Sequence, residues 1–134
     1  MSLGYGASCK LVLSDENWYI YEYTSYNINL KNYKEAMENY DGIIILHKDF
    51  FQKPKIIRKK IKRPSGKKKW IEKKQYDELD WDTLFKDGKI VIENSSHCWD
   101  TSNGIDRYAL KLLFYLEIKY TDEEIIPTEF GIFS

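Results

Sequence analysis

Histidine, cysteine, alanine and arginine are all scarce in this chain, and each scarcity closes off a class of explanation. Two cysteines, Cys9 and Cys98, are too few for a disulfide framework. A chain of 134 residues buries enough surface to fold without one. Both are expected as thiols in a reducing, cytoplasmic setting. His47 and His97 are the only histidines, and neither they nor the cysteines show the paired spacing of a metal site. Gly4, Gly6 and Gly66 make no phosphate-binding loop. No metal and no cofactor are therefore implied. The longest clean apolar run is Gly42–Leu46, far short of the roughly 20 residues of a membrane-spanning helix. No membrane role is expected, and Met1 to Asp15 lack the pattern of a secretory signal.

Alanine occurs only at positions 7, 36 and 109, and only Arg58, Arg63 and Arg107 of the 21 basic residues are arginine. Ile, Lys, Tyr and Asn are abundant, the bias of AT-rich coding sequence and of a bacterial or phage origin. That bias accounts for eleven tyrosines without requiring a ligand platform.

Charge is present in a segregated form. The formal net charge is zero, from 21 basic and 21 acidic residues. Lys53–Lys74 alone holds twelve cations and a single anion, Glu72, and so carries +11; nine cations and twenty anions give the rest −11. This asymmetry says more than the near-neutral balance does.

The periodicity predicts an antiparallel hairpin from Lys10–Ser14 and Trp18–Thr24. Its second strand puts Tyr19, Tyr21 and Tyr23 on one face, read as a half-buried sheet surface. Asn32 to Glu35 resembles a capping box for a short helix, Tyr33–Asn39. Ile43–Leu46 is apolar throughout and is expected as a central strand buried on both faces. Asp80–Phe85 reads as a short helix stopped by Asp87-Gly88, although the same dipeptide suits a hairpin turn. Lys89–Glu93 follows as a strand. Asn103–Tyr120 carries an apolar stripe of Ile105, Ala109, Leu112, Leu113, Leu116 and Tyr120, capped by Ser102 or Asn103. Thr121–Glu124 repeats the capping-box pattern and predicts one further turn, closed by Pro127; Phe130–Phe133 reads as a last strand. Together these predict a single α+β domain over residues 1–134. Its sheet is mostly antiparallel, with a protruding basic β-hairpin over about residues 53–76. One main C-terminal helix and one or two short helices pack it.

Within the basic segment, Arg63-Pro64-Ser65-Gly66 is turn chemistry. Pairing Arg63 with Lys68 sets Ile61 opposite Trp70, Lys59 opposite Glu72 and Lys55 opposite Tyr76. That register gathers Ile57, Ile61 and Trp70 into an apolar stripe and is preferred on that ground. It also sets like charges face to face, which calls for an external anion. Lys55, Arg58, Lys60, Lys62, Arg63, Lys67, Lys68, Lys69 and Trp70 are the candidate anion-binding or nucleic-acid-binding residues, with Tyr76 a second stacking group. The leading expectation is a non-enzymatic interaction or regulatory protein whose partner is another protein or a second copy, a dimer held by charge segregation. The alternative is a sequence-nonspecific nucleic-acid binder; lysine provides point charges rather than forks, so backbone contact is favoured over base reading.

A third expectation is a small enzyme. Ser95-Ser96-His97-Cys98-Trp99-Asp100 gathers hydroxyls, imidazole, thiol and carboxylate in six residues. Cys98, His47 and Asp100 would make a nucleophile set. Neighbouring residues of an extended strand point apart, which argues against His97 serving Cys98 directly. Asp77, Glu78, Asp80 and Asp82 read as helix-start acids rather than cation ligands.

Overall fold

A computed structural model describes residues 3–52, 55–62, 64–75 and 80–133. The elements run β1 (Tyr5–Ser14), β2 (Trp18–Asn27), α1 (Tyr33–Glu38), β3 (Gly42–His47), a 3-10 turn (Lys48–Phe50), β4 (Lys55–Lys62) and β5 (Lys68–Gln75). They continue with α2 (Trp81–Lys86), β6 (Ile90–Glu93), β7 (Thr101–Ser102), β8 (Ile105–Asp106), α3 (Arg107–Glu123) and β9 (Glu129–Phe133). Five strands form an antiparallel sheet in the order β6-β3-β2-β1-β9, while β4 and β5 pair only with each other. The chain is thus a single α+β domain with a protruding basic ribbon, β4–β5. No helix among the described residues is long and apolar enough to cross a membrane.

The core lies between one sheet face and α3. Alternation along β1 and β2 turns Ala7, Cys9, Tyr21 and Tyr23 inward, where they meet Ile44, Leu46, Ile90 and the helix residues Ala109, Leu112, Leu113 and Leu116. Burying each of those leucines stabilises the fold by about 1.5–3 kcal/mol. On the tyrosine face of β2, Tyr19 is half-buried as predicted, whereas Tyr21 and Tyr23 are core, because each of these two hydroxyls finds a buried partner. Tyr21 donates to the Pro127 carbonyl at 2.7 Å, and Tyr23 donates to Asp106 Oδ2 at 3.0 Å. Gly42 lies directly opposite Tyr23, and a Cβ there would overlap the Tyr23 ring. From the opposite sheet face α1 packs against β2, and the Thr24 hydroxyl donates to the Ala36 carbonyl at 2.5 Å.

Several local expectations change. Helix α3 starts four residues later than predicted, because Asn103 (φ 54°) and Gly104 (φ 81°) turn the chain into the small hairpin β7–β8. Its cap is Asp106, whose side chain accepts from the Tyr108 N–H at 2.9 Å, not Ser102 or Asn103. At the other end no new capping box forms: α3 runs on to Glu123, and Glu124 closes it in the left-handed region (φ 56°). The Asn32 side chain makes no cap hydrogen bond on α1, so that box is not formed either. Strand β3 is internal, yet only Gly42, Ile44 and Leu46 are buried; its other face is half-buried because α1 covers β2 and not β3. Of the two readings of residues 80–88 the helix is correct, with Asp80 accepting from the Thr83 N–H at 3.3 Å.

Candidate functional site

The ribbon owes its form to β-branched Ile56, Ile57, Ile61 and Ile71 on either side of Pro64-Ser65-Gly66, where Gly66 adopts φ 84°. Its register differs by one residue from the predicted one. Lys62 pairs with Lys68, Ile61 with Lys69, Lys60 with Trp70, Arg58 with Glu72 and Lys55 with Gln75. Arg63 is therefore not Lys68's partner, and both Arg63 and Tyr76 lie outside the described residues, as do Asp77 and Glu78. The physical reason is electrostatic. The observed register brings Arg58 Nε to 3.1 Å from Glu72 Oε1 and the Lys60 ammonium to 5.4 Å from the centre of the Trp70 ring. The expected alignment would have met Trp70 with one isoleucine, whereas Trp70 stands 62% exposed. Two attractions outweigh one apolar contact of an exposed Trp70.

Strand alternation then sorts the described side chains. Arg58, Lys60, Lys62, Lys68, Trp70 and Glu72 share one face, and all are exposed. Lys67 and Lys69 are exposed as well. Lys62 and Lys68 stand directly opposite each other, so one like-charge pair persists where the ribbon turns. Trp70 is 62% exposed. Among the described residues, Arg58–Glu72 is the ribbon's one ion pair, and it lies within the ribbon itself. Two acids of the body pair locally: Asp49 accepts from Lys89 Nζ at 2.7 Å, and Asp100 meets Arg107 at 3.4 Å.

The second candidate, the loop 95–100, is built differently. Asp41 accepts from Ser95 Oγ at 2.6 Å and from the Ser96 N–H at 3.1 Å, and also from the Ser96 hydroxyl. Burial pushes its carboxyl up, but these hydrogen bonds and the charge of His97 outweigh that, and it sits below the usual carboxylate range. The Cys98 thiol donates weakly to the Asp100 carbonyl at 3.7 Å. Burial, and then the negative charge of Asp106, push that thiol up to about 11. Such a group is almost wholly protonated at neutral pH and is a poor nucleophile. His97 Nε2 lies 3.3 Å from the Asn39 amide.

His47 is not part of this cluster. Gly42 starts β3 beside Tyr23, whose hydroxyl receives the Ser95 N–H at 2.9 Å. His47 ends the same strand five residues on, about 16 Å away. There its Nδ1 accepts the Asp49 N–H at 3.2 Å and its ring meets Trp18 edge-on. Cys98, His47 and Asp100 therefore do not assemble as a nucleophile set. Ser96, His97, Cys98 and Trp99 line a cavity of about 210 Å³ with Tyr26 and Tyr33. Trp99 packs between Tyr5 and Tyr108, and its indole N–H is buried without a partner.

Beside the loop lies a buried polar knot centred on Asp106 of β8. Asp106, 1% exposed, accepts from the Tyr23 hydroxyl, from Ser25 Oγ at 2.6 Å and from the Tyr108 N–H, while its own N–H donates to Asn94 Oδ1. Burial first, and the Asp106 charge second, hold the Tyr23 hydroxyl far above its usual range. The sequence signal for this knot is faint: Asp106 reads as a first-turn acid, and nothing local marks Ser25 or Tyr23 as its donors. No protein-family model, curated protein or solved structure matches the chain.

Proposed function

We propose that the chain is a binding module whose working part is the β4–β5 ribbon, and that its ligand is the phosphate backbone of nucleic acid, contacted without sequence reading. The observation that supports this reading is the open face of Arg58, Lys60, Lys62 and Lys68 around an exposed Trp70. Cations held apart from the acidic body raise the local concentration of a polyanion and release its counterions on contact. Lysine predominates, which favours backbone over base-edge contact. Titration of the full chain against a mixed-sequence duplex and single strand, over a range of salt, tests the reading. About five engaged phosphates give a log–log slope near about −4.5 on duplex and about −3.5 on single strands. A flat plot, or no binding at low salt, would remove it.

A second reading, association of two copies, draws on a separate observation. β9 is an edge strand, and beside it α3 exposes Phe114, Tyr115 and Ile118. Antiparallel pairing of two β9 strands would cover the free edge and bring the two helix stripes together. Sedimentation equilibrium of the intact chain and of Phe114→Lys distinguishes the cases: a dimer lost in the variant supports this reading, and a monomer at all concentrations excludes it.

A further inference from the structure

Trp70 gives the ribbon more than charge. Burying a tryptophan is worth several kcal/mol, yet this one stands 62% exposed, with Lys60 across from it and Lys68 and Glu72 to either side of it on its own strand face. Lys60, its cross-strand partner, holds its ammonium 5.4 Å from the ring centre, which positions the indole without covering it. Lys62 and Lys68 flank the ring on the same face, one strand repeat away, about 6.8 Å along each strand. A flat aromatic surface with positive charge across from it and on its turn side matches a nucleotide whose base lies beside its own phosphate. In a duplex the faces of the bases are hidden within the stack, and only groove edges and phosphates are offered. The indole can use only a base that is already unstacked.

We infer that the ribbon prefers single-stranded nucleic acid, with one base stacked on Trp70 and the adjacent phosphates on Lys60, Lys62 and Lys68. The inference rests on the nucleic-acid reading above and narrows it to a ligand class. Glu72 helps set the register: by engaging Arg58 at 3.1 Å it holds the alignment that brings Lys60 to Trp70.

The experiment compares fluorescence anisotropy of labelled oligo-dT, oligo-U and a mixed duplex of equal length with the intact chain and with Trp70→Ala and Trp70→Phe. The intact chain is expected to bind both single strands more tightly than the duplex. Trp70→Ala is expected to lose about 5- to 150-fold on single strands, and no more than about twofold on the duplex. Its salt slope should stay the same, because removing an aromatic group releases no counterions. Trp70→Phe should recover most of the loss. Circular dichroism checks that the variants keep their fold, which an exposed side chain should not disturb. A difference between oligo-dT and oligo-U separates DNA from RNA as the source of the strand. Duplex binding as tight as single-strand binding, or an unaffected Trp70→Ala, overturns the inference while leaving the ribbon a phosphate binder. Absence of binding to every probe at low salt overturns the nucleic-acid reading as well.

Discussion

The ribbon and the body handle polar groups in opposite ways. In the body the buried ones are mostly satisfied: Asp106 takes three hydrogen bonds inside the core, and Tyr21 and Tyr23 each end on a named partner. On the described face of the ribbon they are exposed and, apart from Glu72, positive. A two-stranded sheet without a covering layer is marginally stable by itself, and Lys62 facing Lys68 weakens it further. On the proposed reading the body supplies the stability and the ribbon supplies the affinity. A ligand that neutralises the ribbon would also firm it.

That contrast can be broken at four places. The largest effect is expected from Asp106→Ala. It leaves the Tyr23 hydroxyl, Ser25 Oγ and the Tyr108 N–H without an acceptor, at about 1–3 kcal/mol for each buried donor. Urea titration should show a loss of at least about 3 kcal/mol, with binding per folded molecule unchanged. Next comes replacement of residues 55–75 by a short Gly/Ser linker. Nucleic-acid affinity should fall by about 100-fold or more, equivalent to about 2.7 kcal/mol, while the melting temperature moves by no more than about 2 °C. A drop comparable to a core mutation would show that the body needs the ribbon. Gly42→Ala should cost about 1–3 kcal/mol in the same titration, since the new methyl group meets the Tyr23 ring.

The smallest effect concerns pH. The Asp41 carboxyl is held below its usual value, so the folded state favours its ionised form. Its contribution is complete above the unfolded-state value, near pH 4, and fades as pH falls through the lower folded value. Asp41→Asn should destabilise the fold at neutral pH by about 1 kcal/mol or less, the group being exposed. The difference from the parent chain should shrink in acid. A difference that grows below pH 4 would contradict the assignment.

Much of the body was legible in the sequence because its signals are local. The stripe from Ala109 to Tyr120 fixes the inward face of α3, and Asp80 with Asp87-Gly88 brackets α2. The errors fall where a distant partner decides. Whether Asn103-Gly104 caps a helix or turns a hairpin depends on Asn94, which accepts the Asp106 N–H and donates to the Gly104 carbonyl. The half-buried reading of the tyrosine face holds for Tyr19 but not for Tyr21 and Tyr23, whose hydroxyls end on Pro127 and Asp106, more than eighty residues away in the chain. The ribbon was legible as a charge excess and as a turn, but its register was not. Apolar matching is a sound guide where a core rewards it; on a ribbon exposed on its described face, the pairing of Arg58 with Glu72 and of Lys60 with Trp70 was the better clue. Of the candidate catalytic groups, the sequence placed His97 and Cys98 correctly in one loop and could not show that β3 carries His47 to the far end of the sheet.

The two shielded thiols bear on how the ribbon can be watched. Burial pushes Cys9 up to about 12, and Cys98 stands at about 11. At pH 7 Cys98 is almost wholly in the thiol form, and it is the thiolate that reacts. Maleimide dyes should thus leave the native chain nearly untouched. A cysteine introduced at Ser65, on the exposed turn of the ribbon, would take the dye first. The protein comes, in effect, with its labelling background already suppressed, and a single fluorophore at the ribbon's tip can report each encounter with a ligand.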